Sequence, residues 1–404
     1  MGKILFLGMP GYGHINPTLG IIAELIKNGE KVIYFCTEEF RQRIENTGAV
    51  FKCYSEWNGI GKNKPSKLNN RNIEFLVNML EMTINSYEKT VENILEQIED
   101  MKFDVIGYSA MFPYGVIIAQ ILNVPSFSSF EVFATPSEMV PKERQEATNA
   151  FFENDPIVSK YKELSDKLNV KYNIEMPELR NLLFYNRGDI NFVYTSKYFV
   201  GNTKNYDQTF KFIGPPIYDR KEDLTDFPYN EIKGKKIIYI SLGTIFSNFD
   251  LTIYDIFFKA FKDVDAAVVM TAYNTDLSEF DIPHNFIIRN YISQTEILKY
   301  ADVAITHSGM NSTNDLLFNN IPFVAIPIGA DQLYIASKSA KLGACISLDK
   351  DKLTPEILID SVNKVLTDPQ YMTNIKKINE SFKECGGYER ATEEILSLKQ
   401  KKLV

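Results

Sequence analysis

The sequence is poor in cysteine, and the few cysteines it has are not arranged as metal ligands. Its 404 residues include four, at Cys36, Cys53, Cys345 and Cys385, with no C-x-x-C pair and no spacing that suits a zinc site. The dense cysteine pattern of small secreted domains is absent as well. We therefore expect free thiols, no disulfide framework and no bound metal.

Positive charge is in deficit. The chain has 44 Lys and Arg residues against 52 Asp and Glu residues, which gives a formal net charge of −8. Because nucleic-acid-binding proteins usually carry a basic patch or stripe, we expect no nucleic acid as a partner. The same balance argues against an acidic membrane surface as the main partner.

Long apolar runs are missing too. No uninterrupted apolar stretch reaches the roughly 18 residues of a membrane-spanning helix. The glycines at positions 11 and 13 interrupt the first apolar run too early for a signal peptide. We expect a cytoplasmic protein without an integral membrane segment.

What the sequence does have is a repeated alternation of apolar strands and amphipathic helices. Residues 3–8 (KILFLG) predict a strand buried on both faces, followed by a loop over residues 11–16. Pro17 suits the first turn of the helix that follows and ends at Asn28. Residues 31–36 (KVIYFC) predict the next strand. Strand, helix and strand at this spacing form a βαβ unit, which implies a parallel sheet.

This alternation continues through two successive domains, as a chain of this length favours. Gly214, Pro215 and Pro216 end the first series, and a charged stretch separates it from the second. The predicted bounds are 1–216 for the N-terminal domain, 217–235 for a linker, 236–384 for the C-terminal domain and 385–404 for a last helix. Further strands are predicted over residues 104–108, 126–130, 192–195, 210–213, 236–241, 266–271, 286–288, 303–306 and 323–327. The fold class is therefore α/β, with two doubly wound, Rossmann-like domains.

The loop before the first helix contains a candidate general base. Ligands of open α/β sheets bind outside the carboxyl ends of the strands, which is where residues 11–16 (GYGHIN) lie. The glycine fingerprint of dinucleotide-binding proteins is only partly matched, because Asn16 replaces its last glycine, so a nicotinamide cofactor is not expected. His14 is one of three histidines, and a neutral imidazole is a natural general base. The alternative is an ordinary surface histidine.

A second loop has the composition of a pyrophosphate cradle. Residues 306–313 (THSGMNST) gather small residues and six side-chain hydrogen-bonding groups between a strand and the start of a helix. Backbone N–H groups at a helix N-terminus suit phosphate, whereas a simple N-cap requires one such residue and not a cluster. Residues 241–244 (SLGT) and 329–332 (GADQ) follow other strands of the same series. The first of these is also compatible with a simple turn.

Together, these motifs resemble those of a known family. The order G-x-G-H-x-N-P, S-L-G-T, Q-x-x-I-L, H-x-G-x-N-S and D-Q is similar to that of the inverting UDP-glycosyltransferases with the GT-B fold, in particular the bacterial macrolide-glycosyltransferase type. The resemblance covers essentially the whole chain. It implies two Rossmann-like domains that face each other across a cleft, with the acceptor bound by the N-terminal and the donor by the C-terminal domain. It also implies that the last helix packs back on the N-terminal domain.

The resemblance implies a reaction and a set of roles. His14 would take the proton from an acceptor hydroxyl, whose oxygen attacks the anomeric carbon with inversion. The donor would be UDP-glucose or a related nucleotide sugar, acting as a co-substrate, with no cofactor and no metal. The acceptor would be a small lipophilic or phenolic molecule. The implied donor-binding residues are Gly243, Thr244, Tyr291, Gln294, His307, Gly309, Asn311, Ser312, Asp315, Asp331 and Gln332.

The sequence departs from the family where an aspartate usually orients the catalytic histidine. Ser109 stands at that position, and a serine oxygen can accept the imidazole N–H but cannot stabilise an imidazolium as a carboxylate does. Three interpretations stay open. The acceptor is already acidic, as a phenol is; Glu131, at the same sheet edge, supplies the missing carboxylate; or the protein binds a nucleotide sugar with weak or no turnover.

Smaller departures concern the donor and the acceptor. Asp315 stands where a glutamate often binds the ribose, and Ser293 replaces a usual proline, which leaves the choice between uridine and thymidine donors open. Aromatic and methionine residues of the first domain are candidates for the acceptor pocket, although at helical spacing they are equally compatible with a core. The predicted acceptor-binding residues are Tyr12, Asn16, Met79, Met111 and Phe112.

Overall fold

The computed structural model describes residues 2–55, 73–131, 146, 150, 152, 155–218, 227–244, 250–329 and 331–401, apart from the side chains of residues 73–75 and 401. The chain divides into two units. The first contains Met1–Tyr194, Thr203–Arg220 and Gly386–Val404, and the second contains Thr195–Asn202 and Lys221–Cys385. Each unit is built on its own sheet of parallel strands, so the predicted fold class of two doubly wound α/β domains is confirmed.

The sheet of the first unit has seven parallel strands in the order β3-β2-β1-β4-β5-β6-β7. Alternate residues of β1 pack on opposite sides, because Leu5 and Leu7 belong to one apolar cluster and Ile4 and Phe6 to another. Such a strand is apolar throughout, as KILFL is. The strands are β1 Lys3–Leu7, β2 Lys31–Cys36, β3 Val50–Cys53, β4 Val105–Ser109, β5 Ser126–Phe130, β6 Ile190–Val193 and β7 Phe210–Phe212.

Helices cover both faces of this sheet. The cluster on one face includes residues of α3, α4 and α5, and the cluster on the other includes residues of α1 and of the last helix, α14. The helices of this unit are α1 Tyr12–Lys27, α2 Arg41–Glu45, α3 Ile73–Gln97, α4 Gly115–Leu122, α5 Pro156–Tyr172 and α14 Gly387–Lys401.

The sheet of the second unit has six parallel strands in the order β10-β9-β8-β11-β12-β13. The strands are β8 Ile237–Ser241, β9 Ala267–Thr271, β10 Phe286–Arg289, β11 Val303–Thr306, β12 Phe323–Ala325 and β13 Cys345–Ser347. The helices are α6 Lys197–Val200, α7 Tyr229–Ile232, α8 Thr252–Phe261, α9 Gln294–Ile297, α10 Met310–Phe318, α11 Gln332–Lys341, α12 Pro355–Thr367 and α13 Pro369–Lys383.

The start of α1 differs from the prediction. Residues 12–16 are helical rather than a loop, because the N–H groups of His14 and Ile15 both donate to the carbonyl oxygen of Gly11. Gly11 caps the helix with a φ of 145°, which glycine adopts readily. Pro17 therefore lies inside the helix. His14 therefore lies in the first turn of the helix and not in a loop.

The last helix belongs to the first unit, although it follows the second unit in sequence. The Tyr388 hydroxyl donates to the carbonyl oxygen of Pro17 at 3.1 Å, and Lys399 pairs with Glu30 at 2.9 Å. Gly20 makes room for the Tyr388 ring, because a Cβ at Gly20 would approach that ring to 2.1 Å. The domain bounds at the linker stay a prediction, because residues 219–226 lie outside the described residues.

Candidate active site

Three neighbouring strands of the first unit bring His14, Ser109 and Glu131 together. Strands β1, β4 and β5 lie side by side, and α1 with His14 follows the end of β1. Ser109 is the last residue of β4, and Glu131 comes directly after β5. Because side chains alternate along a strand, Ser109 and Glu131 fall on the same sheet face as Val105 and Phe127, the face that α1 covers.

The carboxylate of Glu131 lies between the other two side chains. Its Oε2 is 3.4 Å from Nδ1 of His14 and accepts a hydrogen bond of 2.9 Å from Oγ of Ser109. The sequence raised the idea that Ser109 itself accepts the imidazole N–H. The structure corrects this, because the Ser109 hydroxyl donates to Glu131 and the carboxylate contacts the imidazole.

Burial differs sharply between the partners. The side chain of Glu131 is 1% exposed and that of His14 is 19% exposed. A carboxylate at Nδ1 favours the tautomer in which Nδ1 carries the proton, which leaves Nε2 able to take one from a substrate. An imidazole held in this way can act chemically as a general base.

Two buried tyrosines, Tyr34 and Tyr194, lie close enough to this carboxylate for its charge to affect them. Burial raises the pKa of Tyr194 well above its ordinary value, and the negative charge of Glu131 adds to the rise. Burial likewise raises the pKa of Tyr34, with a smaller contribution from Glu131. Their hydroxyls pair with Ser129 and Thr18, each at 2.8 Å. Both phenols therefore stay protonated at neutral pH, and neither competes with His14 as a base.

The second unit places His307 at the start of α10. Its Nδ1 is 3.4 Å from the carbonyl oxygen of Ser241, and burial lowers its pKa from the ordinary 6.5 to about 4. A Cβ at Gly243 or at Gly309 would approach the imidazole ring to 2.7 or 2.5 Å. The two glycines predicted to contact the donor therefore also make room for His307, which is neutral at pH 7.

The N-terminus of α10 offers backbone donors beside this histidine. Gly309 is the N-cap residue, and Asn311 and Ser312 lie half-buried in the first turn. The first N–H groups of a helix have no partner within it and carry a partial positive charge. Such a helix N-terminus suits a phosphate group, and the diphosphate contact predicted for residues 306–313 stays a prediction.

Two of the three predicted nucleoside contacts, Gln294 and Asp315, are hydrogen-bonded to each other. Gln294 Nε2 donates to Oδ2 of Asp315 at 2.7 Å, and the Tyr239 hydroxyl lies 3.5 Å from Gln294 Oε1. Asp315 is buried, whereas Tyr291 is 37% exposed and presents an aromatic surface. Gln294 and Asp315 therefore act as one hydrogen-bonded pair, a link that the sequence did not predict.

Gln332, one of the two residues predicted to bind the sugar, already uses its side-chain oxygen for hydrogen bonds within the protein. Oε1 of Gln332 accepts hydrogen bonds from the N–H groups of Ile328 and Gly329, at 2.8 and 3.0 Å. Its amide NH₂ group is the part left to donate to a sugar. Asp331 is the N-cap residue of α11, and Thr244 is half-buried in the turn after β8.

The predicted acceptor residues fall into two groups. Phe112 is fully buried and stacks on Tyr54 at 5.3 Å between ring centroids, and Met79 is 7% exposed in the same core cluster. Both side chains therefore lie in the hydrophobic core, which was the alternative to an acceptor pocket in the sequence analysis. Tyr12 and Met111 are half-buried and Asn16 is buried at the start of α1. The prediction of an acceptor-binding site now depends on Tyr12, Met111 and Asn16.

The family of this chain follows from its similarity to curated relatives. The chain is 32% identical over 406 residues to the "Uncharacterized UDP-glucosyltransferase YojK" of Bacillus subtilis, and this match covers 99% of the chain and 98% of the relative. The "NDP-glycosyltransferase YjiC" of the same organism is 30% identical, with 99% and 98% covered. The chain belongs to the UDP-glycosyltransferase family.

A family model and two solved structures are also similar to this UDP-glycosyltransferase. Residues 256–384 match the family model of the erythromycin biosynthesis protein CIII-like C-terminal domain. The crystal structure of the kitacinnamycin glycosyltransferase superposes with a TM-score of 0.82 at 22% identity, covering 98% of this chain and 99% of that one. The calicheamicin glycosyltransferase CalG4 gives 0.78 at 20% identity, with 98% of each chain covered. The GT-B fold and the predicted resemblance are thereby confirmed.

The described residues contain neither a cluster of metal-ligating side chains nor a membrane-spanning helix. Among them, no group of three or more His, Cys, Asp or Glu side chains is placed to hold a metal ion. None of their helices combines the length and the apolarity needed to cross a bilayer.

Proposed function

We propose that this UDP-glycosyltransferase moves a hexose, most simply glucose, from a UDP-sugar to a hydroxyl group of a small lipophilic or phenolic acceptor. The name of the Bacillus subtilis relative YojK, a UDP-glucosyltransferase, supports a UDP-glucose donor. The observation that carries the proposal is the contact of 3.4 Å between His14 Nδ1 and the buried carboxylate of Glu131. A cytoplasmic location stays a prediction.

In the proposed reaction, His14 is the general base. Its Nε2 takes the proton of the acceptor hydroxyl while the acceptor oxygen forms a bond to the anomeric carbon. The bond from that carbon to the UDP oxygen breaks on the opposite face, so the configuration inverts and UDP leaves. Glu131 stabilises the imidazolium formed in this step. An ion pair at about 4 Å and an effective dielectric constant near 20 corresponds to roughly 4 kcal/mol.

The donor would be held by the second unit without a metal. The N–H groups at the start of α10, with Asn311 and Ser312, are proposed to bind the diphosphate. Because His307 is neutral at pH 7, the partial positive charge at the end of the helix, about half an elementary charge, supplies the electrostatic part. Asp315 would accept from a ribose hydroxyl and Tyr291 would stack on the base.

The acceptor would bind to the first unit. Tyr12 lies two residues before His14 in the first turn of α1, and its ring packs edge-on against Phe40 at 5.2 Å. With Met111 in the turn after Ser109, it offers apolar surface close in sequence to both members of the proposed catalytic group. Asn16 would add a polar contact. This composition supports a lipophilic acceptor with a hydroxyl group.

The alternative of a nucleotide-sugar-binding protein with little turnover depended on Ser109. Glu131 provides, beside His14, the carboxylate that Ser109 lacks, and this favours an active transferase. An acidic acceptor is then not required for the reaction, although a phenol stays a suitable one.

The test is the variant His14→Ala, assayed with UDP-glucose and a flavonoid phenol. We expect transfer to be abolished, while the affinity for UDP, measured by calorimetry, stays nearly unchanged because His14 belongs to the other unit. A fully active variant would refute the proposed base. Loss of both activity and UDP binding would instead point to a role in donor binding.

A further inference from the structure

Asn186 is a buried residue that has no role in the site described so far. It lies between α5 and β6 and is 1% exposed. Its backbone N–H and its Nδ2 both donate to the carbonyl oxygen of Ala110, at 3.0 and 2.9 Å. Nδ2 also donates to the carbonyl oxygen of Leu182, and the carbonyl oxygen of Asn186 accepts from Oγ of Ser128 at 2.6 Å. Asn186 therefore joins the turn after β4 to strand β5.

The pairing of β4 with β5 ends where Asn186 binds. Ala110 N–H donates to the carbonyl oxygen of Ser129. If the parallel pattern continued, the carbonyl oxygen of Ala110 would accept from the N–H of Glu131. A carbonyl oxygen has two lone pairs, and the two donors of Asn186 occupy both. In the described part of the chain, no hydrogen bond joins the N–H of Glu131 to the carbonyl oxygen of Ala110.

The position of the Glu131 carboxylate then depends on its side-chain contacts. Oε2 meets Ser109 at 2.9 Å and His14 at 3.4 Å, while Oε1 is buried without a hydrogen-bond partner among the described residues. Ser109 directly precedes Ala110, the residue that Asn186 holds. A shift of Ala110 would move the Ser109 hydroxyl and, with it, the carboxylate.

We propose that Asn186 is a positioning residue for the transfer reaction. By fixing Ala110 it fixes the Ser109 hydroxyl, and through that hydroxyl it holds Glu131 against His14. The proposal depends on the proposed function, because it requires the pair of His14 and Glu131 to take the acceptor proton.

The first experiment compares Asn186→Ala with the wild type in steady-state kinetics. We expect kcat to fall by about 10-fold to 100-fold, the range in which small misplacements of catalytic groups act. The KM for UDP-glucose should not change, since the donor binds to the other unit. Ser128→Ala removes only the contact to the carbonyl oxygen of Asn186 and should lower kcat by a smaller factor.

Asn285 provides a matched control in the second unit. Its Nδ2 also donates to two backbone carbonyl oxygens, those of Phe261 and Ala266, at 2.8 and 3.2 Å. We expect Asn285→Ala to lower the melting temperature by a similar amount while leaving kcat unchanged. An equal loss of kcat in both variants would mean that Asn186 acts through general stability, and the proposal would be wrong.

The deciding experiment repeats Asn186→Ala in the Glu131→Gln background. If Asn186 acts through the carboxylate, its effect on kcat should nearly vanish there. An undiminished effect overturns the positioning role. A wild-type rate in Glu131→Gln alone would instead contradict the proposed catalytic pair, so the two failures are distinguishable. If Asn186→Ala does not fold, Ser128→Ala carries the same comparison in both backgrounds.

Discussion

Oγ of Ser109 donates a hydrogen bond of 2.9 Å to Oε2 of Glu131, and the two residues come from the ends of adjacent strands, β4 and β5. The same carboxylate oxygen is the one that faces His14. The negative charge beside the imidazole thus comes from the residue directly after β5, while the last residue of β4 contributes a hydroxyl group that donates to it. This division of roles leads to a direct prediction for each residue.

Glu131→Gln should slow transfer strongly. The amide keeps the size of the side chain but cannot stabilise an imidazolium. If most of the roughly 4 kcal/mol of an ion pair in such a site is lost, the rate falls by about 100-fold to 1,000-fold, since about 1.36 kcal/mol corresponds to a factor of ten. The measurement is kcat with UDP-glucose and a phenolic acceptor. Wild-type turnover would remove Glu131 from the mechanism.

The carboxylate should also be exchangeable between the two strands. In the double variant Ser109→Asp with Glu131→Ser, the charge moves to β4 and the hydroxyl to β5. We expect this variant to be at least about tenfold faster than Glu131→Gln, because an ion pair with His14 is again possible. A double variant as slow as Glu131→Gln would show that the position on β5 is itself required.

Glu30→Gln is a suitable control for both experiments. Glu30 is also a buried glutamate in an ion pair, with Lys399 of the last helix. Its substitution should lower the melting temperature without reducing kcat. A reduction of kcat as large as that of Glu131→Gln would show that the rate responds to the loss of any buried carboxylate in this unit.

Much of this site could be predicted because it lies at strand ends. Glu131 follows β5, a short strand of serine and phenylalanine (SFSSF) that was recognised from the sequence, so its sheet edge was predictable. Side-chain alternation assigns Ser109 and Glu131 to one face. The loop that begins α10 was predictable for the same reason. Its small residues stand out in composition, and a helix N-terminus favours anions whatever the tertiary context.

Other features leave no comparable signal in the sequence. Asn186 binds the main-chain carbonyl of Ala110, 76 residues away, and a carbonyl group is the same in every residue. Strands β3 (VFKC) and β13 (CIS) lie at the edges of their sheets and are only partly buried, so neither has a continuous apolar run. The early start of α1 depends on hydrogen bonds to Gly11 that override the preference of Pro17 for a first turn.

Gly309→Ala should weaken UDP binding through His307. The φ of Gly309 is −64°, which alanine adopts without strain, so the effect must come from the Cβ that would approach His307 Nε2 to 2.5 Å. The imidazole would have to move at the start of α10, where we propose that the diphosphate binds. Calorimetry should show a reduced UDP affinity.

A double-variant cycle checks this explanation. In a His307→Ala background the ring is absent, so Gly309→Ala should change UDP affinity much less than in the wild type. An equal loss in both backgrounds would mean that the methyl group obstructs the ligand directly and not through His307.

Asp315→Asn should reduce the ratio of the affinity for UDP to the affinity for dTDP. The carboxylate of Asp315 is buried and accepts from Gln294, and we propose that it also accepts from a ribose hydroxyl that dTDP lacks. Hydrogen bonds to charged groups contribute about 1.5–3 kcal/mol, so the UDP affinity should fall by roughly tenfold or more while the dTDP affinity changes little. Equal losses for both nucleotides would assign Asp315 a purely structural role.

The stability of the second unit should fall in mild acid because of His307. Burial lowers the pKa of His307 from 6.5 to about 4, so between these pH values the unfolded chain binds a proton that the folded chain does not. Stability is then lost as the pH falls from 6.5 towards 4, by at most about 1.4 kcal/mol per pH unit. His307→Gln should reduce this slope in urea unfolding measured from pH 7 to pH 4.5, whereas His284→Gln, at an exposed position, should leave it unchanged. If the slope is the same in wild type and His307→Gln, His307 is not the group that titrates.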